Sequence, residues 1–215
     1  MRLILASASP RRAEILTNLG IPFAVSPTDV DETIAPGESG HAAAARLAAE
    51  KAGAAAARHP GDWVLAADTL VLLDGAVLGK PRDSDEAGRM LASLSGREHR
   101  VVTAVHLRKG SAPGTGEIEE CRVRIAPLTE EEIRWYVATG EPRDKAGAYA
   151  VQGLGARFVE SVDGSFSNVM GLPARTVYRL LREAPDPDLA RLALAFSPSS
   201  WRTSERPPRR AAVPA

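Results

Sequence analysis

The chain has 215 residues, with 27 Lys and Arg against 27 Asp and Glu, so its formal net charge is zero. Hydrophobic residues at 44% and charged residues at 25% exclude a disordered chain and leave enough apolar side chains for a sizeable core. The neutral balance argues against a nucleic-acid polymer as partner, which requires a basic surface, but leaves open a small phosphate ligand held by a local cluster of cations. Cys121 is the single cysteine, so neither an intrachain disulfide nor a Cys-rich metal site is expected. The apolar start Leu3–Ala6 is too short for a signal-peptide core, and no uncharged apolar run reaches membrane-spanning length. A cytoplasmic protein without membrane contact is expected.

In chain order, Leu3–Ala6 reads as a buried strand. Ser9 then offers a helix N-cap, Pro10 a first helical position, Ile15, Leu16 and Leu19 an apolar stripe, and Gly20 a stop. Phe23–Val25 is a second short strand. Ser39 caps an Ala-rich helix that runs to about Arg58 and is stopped by His59-Pro60-Gly61-Asp62. Trp63–Ala67 is a third strand, and Thr69–Leu73 and Ala76–Leu78 flank the hairpin turn Asp74-Gly75. A helix starts at Asp83 or Ser84, with Met90, Leu91 and Leu94 on one face. His99–Leu107 and Glu117–Ile125 pair across a Gly/Pro/Ser loop, and Thr129-x-x-Glu132 is a capping box for a helix ending near Gly140. Arg157–Val162, the Asp163-Gly164 turn and a helix over Pro173–Glu183 complete the pattern. Alternating strands and helices predict an α/β fold, and the hairpins predict a mixed sheet. One domain is expected over residues 1–196, followed by a flexible Pro/Arg-rich tail over 197–215.

Several polar residues sit where local structure gives them little to do. The turn Ser7-Ala8-Ser9-Pro10-Arg11-Arg12 joins a strand to a helix N-terminus, whose free N–H groups favour an anion. Two arginines in that first turn oppose the helix dipole unless an anion lies between them, and the Arg fork suits phosphate. They can equally be solvated. Asp68 interrupts an apolar run, and a carboxylate there is costly unless paired or metal-bound. It is a candidate general base or ligand of a hard cation, or an edge-strand Asp reaching water. Glu32 or Asp31, in an acidic loop, could complete a cation site with it. Lys51 on the Ala-rich helix and Lys80 in Gly79-Lys80-Pro81 read as surface lysines or ligand contacts. His41, His59, His99 and His106 lack metal-ligand spacing. Small residues surround Lys145 and Gln152 in the segment Gly140–Gly153 and describe a tight loop able to approach a ligand closely, and the Gln152 amide suits the edge of a nucleobase.

Taken together, Leu5–Arg12, Ala67-Asp68-Thr69, Gly79-Lys80-Pro81, Asp144–Tyr149, Gln152-Gly153, Asp163-Gly164-Ser165 and Asn168–Pro173 resemble the Maf family of nucleotide pyrophosphatases, also known as septum-formation inhibitors. The resemblance runs from about Leu3 to Leu181. It implies a fold similar to that of the inosine-triphosphate pyrophosphatases: an elongated mixed β-sheet with flanking helices, two lobes and a central cleft. It also implies hydrolysis of nucleoside triphosphates to monophosphate and pyrophosphate with a divalent cation, Mg²⁺ or Mn²⁺, in a homodimer. By resemblance Asp68 is the catalytic proton acceptor, and Arg11, Thr69 and Gln152 mark the branch that prefers dTTP and UTP. Ser7, Arg12, Glu32, Lys51, Lys80 and Lys145 match other polar positions of the family's cleft. Arg11, Arg12, Lys51, Lys80 and Lys145 would then clamp phosphates, while Glu32 and Asp68 hold the metal. The alternatives are action on 7-methyl-GTP or another modified nucleotide, and a nucleotide-sensing module in cell division without turnover. Two features depart from the family pattern: the basic strand Arg122-Val123-Arg124-Ile125 and the tail.

Overall fold

A computed structural model describes residues 2–194; the expected tail over 197–215 lies outside them. Strand β1 (Leu3–Leu5) leads into helix α1 (Pro10–Asn18), strand β2 (Ala24–Val25) and helix α2 (Gly40–Arg58). Strands β3 (Trp63–Leu73) and β4 (Ala76–Leu78) form a hairpin, followed by helix α3 (Ser84–Leu94), strands β5 (Glu98–Lys109) and β6 (Thr115–Ile125), and helix α4 (Glu130–Ala138). Strand β7 (Val159–Asp163) and helices α5 (Phe166–Val169), α6 (Ala174–Glu183) and α7 (Pro187–Leu192) complete the order. The seven strands form one sheet in the order β2-β1-β3-β5-β6-β7, with β4 also on β3. The pairs β2–β1 and β1–β3 are parallel and all others antiparallel, the mixed α/β sheet that the hairpin signals predict.

Local chemistry accounts for most element ends. The Ser39 side chain accepts from the Ala42 N–H at the start of α2, and Thr129 and Glu132 form the full reciprocal capping box of α4. Asp74 and Gly75 both adopt positive φ, at 51° and 84°, as a tight two-residue hairpin requires. The basic stretch of β6 is met across the sheet by β7, where Arg122 pairs with Asp163 and Arg124 with Glu160.

Four expectations are corrected. The Ser9 side chain makes no capping bond; its own N–H instead donates to Ser7 Oγ at 3.2 Å. Leu19 is 38% exposed, because α1 turns its buried face to Ile15 and Leu16 and the chain re-enters the core at Ile21. The two strands expected on either side of Asp68 are one eleven-residue strand, because its charge is met inside the fold rather than by a chain break. The strand expected from Arg157 begins at Val159, after a short 3₁₀ segment over Leu154–Phe158. Helices α5 and α7 were not foreseen; Asp186 caps α7 ahead of Pro187.

Strand β3 organises the core. Its even-numbered residues Val64, Ala66, Leu70 and Leu72 pack under the alanines of α2. The odd-numbered Trp63, Leu65 and Ala67 join Leu16 and Val177 on the opposite face, and Val71 and Leu73 join Leu91, Leu94 and Tyr136 there. Each face therefore carries two apolar clusters, divided at Asp68 on one side and at Thr69 on the other. One edge of β3 is divided at the same place. β1 pairs with Trp63–Leu65 and β4 with Val71–Leu73, so among the described residues Ala66–Leu70 has no strand partner on that edge. Two lobes share one strand, and the cleft opens at the seam.

His99 on β5 is 2% exposed. Its Nε2 lies 2.8 Å from Tyr149 Oη, and its Nδ1 has no hydrogen-bond partner among the described residues. Burial pushes the imidazole down to about 4 from its ordinary 6.5. The folded state therefore disfavours protonation, so stability is complete above pH 6.5 and is lost as pH falls from 6.5 towards 4. The loss should reach about 3 kcal/mol. Urea unfolding of wild type and His99→Asn across this window should show a steeper acid loss in wild type; parallel curves would contradict it.

Candidate active site

The β1–α1 turn, the middle of β3, the loop after β4 and the loops over 144–152 and 169–171 enclose a cleft of about 450 Å³. All ten residues expected at the site line it: Ser7, Arg11, Arg12, Glu32, Lys51, Asp68, Thr69, Lys80, Lys145 and Gln152. Side chains alternate along β3, so Asp68 and Thr69 leave the strand on opposite faces. The seam on its edge lets both reach the same hollow.

On the α2 face, Lys51 Nζ lies 2.5 Å from Asp68 Oδ1 and 2.5 Å from Glu32 Oε1. Lys51 is 8% and Asp68 6% exposed, so each meets its opposite charge out of bulk water. Partial burial raises the Glu32 carboxyl, but the hydrogen bond and charge of Lys51, with Lys80 and Arg12 beyond, hold it below the usual carboxylate range. Of the two carboxylates considered for this loop, Glu32 reaches the site. Asp31 accepts instead from the backbone and hydroxyl of Thr33, at 2.9 and 2.6 Å. The second oxygen of Asp68, Oδ2, takes no hydrogen bond from another described residue.

On the other face, Arg12 Nε donates to Gly171 O at 2.8 Å, Nη1 to Ser7 Oγ at 3.2 Å and Nη2 to Thr69 Oγ1 at 3.1 Å. Burial pulls the guanidinium below its ordinary value, opposed by Asp68 and Glu32 and reinforced by Arg11. The first-turn arginines thus part company: Arg12 folds back into the cleft wall, and Arg11 lies 3.9 Å from Asp144. Asp144 also pairs with Lys145. Lys80 and Lys145 come from different loops joined by a backbone bond, Gly147 N–H to Gly79 O at 3.1 Å. Gly147 has φ +67°, and a Cβ there would meet Val71 Cγ1 at 3.0 Å. Gln152 Nε2 donates to Glu14 Oε2 at 3.4 Å.

Four contributors had no role assigned from sequence. Asp144 opens the motif Asp144–Tyr149, and its polar neighbours Arg143 and Lys145 are the signal the sequence offers for it. Glu14, three residues after Arg11 on α1, carried a weak positional signal. The Gly171 carbonyl and Thr103, which lies across the sheet from Thr69, carried none.

The charged lining is five cations, Arg11, Arg12, Lys51, Lys80 and Lys145, and three carboxylates, Glu32, Asp68 and Asp144. Among the described residues no group of three or more His, Cys, Asp or Glu is placed to hold a metal ion. Glu32 and Asp68 do meet on one group, the Lys51 ammonium, and their remaining oxygens form a carboxylate pair of the kind that suits a hard cation completing its shell with water and ligand oxygens. The arrangement can bind a polyanion beside an oriented carboxylate.

The family of Maf-like proteins matches residues 2–184. A dTTP/UTP pyrophosphatase of an Anaeromyxobacter species is 53% identical over 190 residues, covering 86% of this chain and 91% of that protein. The dTTP/UTP pyrophosphatase of Symbiobacterium thermophilum is 50% identical over 182 residues, covering 85% of this chain and 93% of that one. A solved HAM1 protein of Coxiella burnetii, 20% identical, overlaps with a TM-score of 0.44 over 70% of this chain and 87% of that one. No helix among the described residues is long and apolar enough to cross a membrane.

The ion pair at the seam makes a stability prediction. Lys51→Met leaves Asp68 buried without its counter-charge and should cost about 3 kcal/mol in urea unfolding. Lys51→Met combined with Asp68→Leu should recover more than half of that loss. Additive losses in the double variant would show that the two charges do not stabilise one another.

Proposed function

The chain belongs to the family of Maf-like proteins, and from that membership and the cleft we propose that it hydrolyses nucleoside triphosphates, preferring dTTP and UTP, to the monophosphate and pyrophosphate. The observation that carries this reading is that five cations line one cleft together with Asp68 and Glu32 at the seam of β3. The relatives named dTTP/UTP pyrophosphatase support the choice of base.

Charge supports the substrate class. Five cations against three carboxylates leave two positive charges in the cleft, whereas a triphosphate carries about four negative ones. A divalent cation would make up the difference. The donor set of Glu32 and Asp68 fits Mg²⁺ or Mn²⁺, and the bound ion would supply neutralisation of phosphate charge.

The protein's own groups then divide the work. Lys51 fixes Asp68 through Oδ1, which leaves Oδ2 to orient a water and accept its proton as the water oxygen attacks the α-phosphorus. The bond from the α-phosphorus to its bridging oxygen breaks, and pyrophosphate leaves with that electron pair. Arg11, Lys80 and Lys145 hold the departing phosphates, and Arg12, braced by Ser7 and Gly171, holds the charge that develops at the reacting centre. Beyond the Arg12–Thr69 contact the wall of the hollow is apolar, with Val71, Val101, Val151 and Met170, and Gln152 also lines the cleft. This wall takes the base. Thymine and uracil share two carbonyls and one ring N–H on the edge such a wall would read, and the 5-methyl group adds modest apolar contact.

Asp68→Asn should lower kcat by about 10²- to 10⁴-fold while far-UV circular dichroism stays unchanged; near-normal turnover would remove Asp68 from the reaction. In a pyrophosphate-release assay over dTTP, UTP, CTP, ATP, GTP and 7-methyl-GTP, dTTP and UTP should lead, and chelation should abolish turnover. A leading purine would overturn the base assignment, and full activity in chelator would overturn the role of the carboxylate pair as ligands.

A further inference from the structure

Thr69 is held from behind by a residue outside the cleft. Its Oγ1 accepts from Arg12 Nη2 at 3.1 Å and lies 3.0 Å from Thr103 Oγ1. Thr103 stands directly opposite Thr69 in the antiparallel pair of β3 and β5 and is 0% exposed. Its hydroxyl is 3.1 Å from the carbonyl oxygen of Asn168. That carbonyl is fixed, because it also receives the Gly171 N–H at 2.9 Å, and the Asn168 side chain is tied to Val101 O at 3.0 Å.

Each hydroxyl has one proton, and this sets the direction of the chain. Arginine only donates, so Thr69 must accept from Arg12. Thr103 gives its proton to Asn168 O and therefore accepts from Thr69. The other acceptor within reach of Thr69, Gly171 O, is 3.5 Å away, at the long limit of a hydrogen bond, and it too lies in the wall rather than in the cleft, bonded to Arg12 Nε at 2.8 Å. The Thr69 proton points into the protein, and only a lone pair is left for the cleft.

We propose that Thr103 is a positioning residue that locks the Thr69 hydroxyl as an acceptor towards the base, and thereby selects a pyrimidine with a ring N–H over one with a bare ring nitrogen. This deepens the dTTP/UTP reading and rests on it. Uracil and thymine present an N–H donor between two carbonyls, whereas cytosine presents a lone pair at the same position. Two facing acceptors repel, and a hydroxyl free to turn would accommodate either base; with its proton committed inward, Thr69 cannot.

The test compares kcat/KM for UTP and CTP in the full-length protein. Thr103→Val keeps the shape and removes the hydroxyl, so the Thr69 proton is released. The UTP-to-CTP ratio should fall about tenfold, partly by a gain on CTP, and Thr103→Ser should restore it. A purely structural role would lower both substrates together and leave the ratio in place. Should the Val variant not fold, Thr103→Ala reads the same ratio. A wild type that prefers UTP, with a ratio unchanged within twofold in the hydroxyl-free variant, would overturn the role of Thr103 alone. A wild type with no preference for UTP over CTP would overturn this inference and the base assignment together.

Discussion

A lysine ammonium wedged between two carboxylates holds the centre of this molecule together. Asp68 lies on the buried face of the central strand, where an unpaired charge would cost several kcal/mol. Lys51 Nζ meets it at 2.5 Å and meets Glu32 at the same distance. The contact is possible because α2 is built largely of alanine and packs closely over β3, so a lysine on its underside reaches the strand. The Ala-rich composition of α2 and the acid in the apolar strand answer one another. Either feature alone would be a defect.

From that contact the division of the cleft follows. β3 alternates its side chains, and the seam between β1 and β4 exposes residues of both faces at one edge. The face with Asp68 carries Lys51 and Glu32. The face with Thr69 gathers valines, a methionine and the Arg12 guanidinium, which gives one bond from each of its three nitrogens to the wall itself. The cleft therefore combines charged groups from several elements with an apolar wall along one strand. The sheet needs no separate binding domain to achieve this, because its two lobes are the two halves of one strand.

Much of this was legible in the sequence wherever the determinant is short-range. Ser39, Asp74-Gly75 and Thr129-x-x-Glu132 act over two to four residues and end their elements where expected. Asp68 was legible as an anomaly, a charge among Val64, Leu65, Leu70 and Val71, which pointed to a site without saying what balances it. The continuity of β3 through Asp68 was not legible, since it depends on Lys51 from another element. Ser9 looked like a cap, but its N–H is satisfied by Ser7, an arrangement made by the turn. Leu19 fits the helical spacing, yet the packing of α1 stops at Leu16 and resumes at Ile21. Thr103 and the Gly171 carbonyl matter only through partners far along the chain. Helix α7 carries the local signal Asp186-Pro187; its anchoring to the indole N–H of Trp63 through Asp186 is visible only in the fold.

The backbone bond from Gly147 to Gly79 has a consequence for how the cleft meets a ligand. Long flexible cations normally surrender rotational freedom at the moment of capture, and affinity suffers accordingly. Here the loops carrying Lys80 and Lys145 are pinned to one another, and Gly147 leaves no gap against Val71. The backbone share of that ordering is completed when the chain folds, so the two loops meet an incoming polyanion as a jaw whose frame is set in advance.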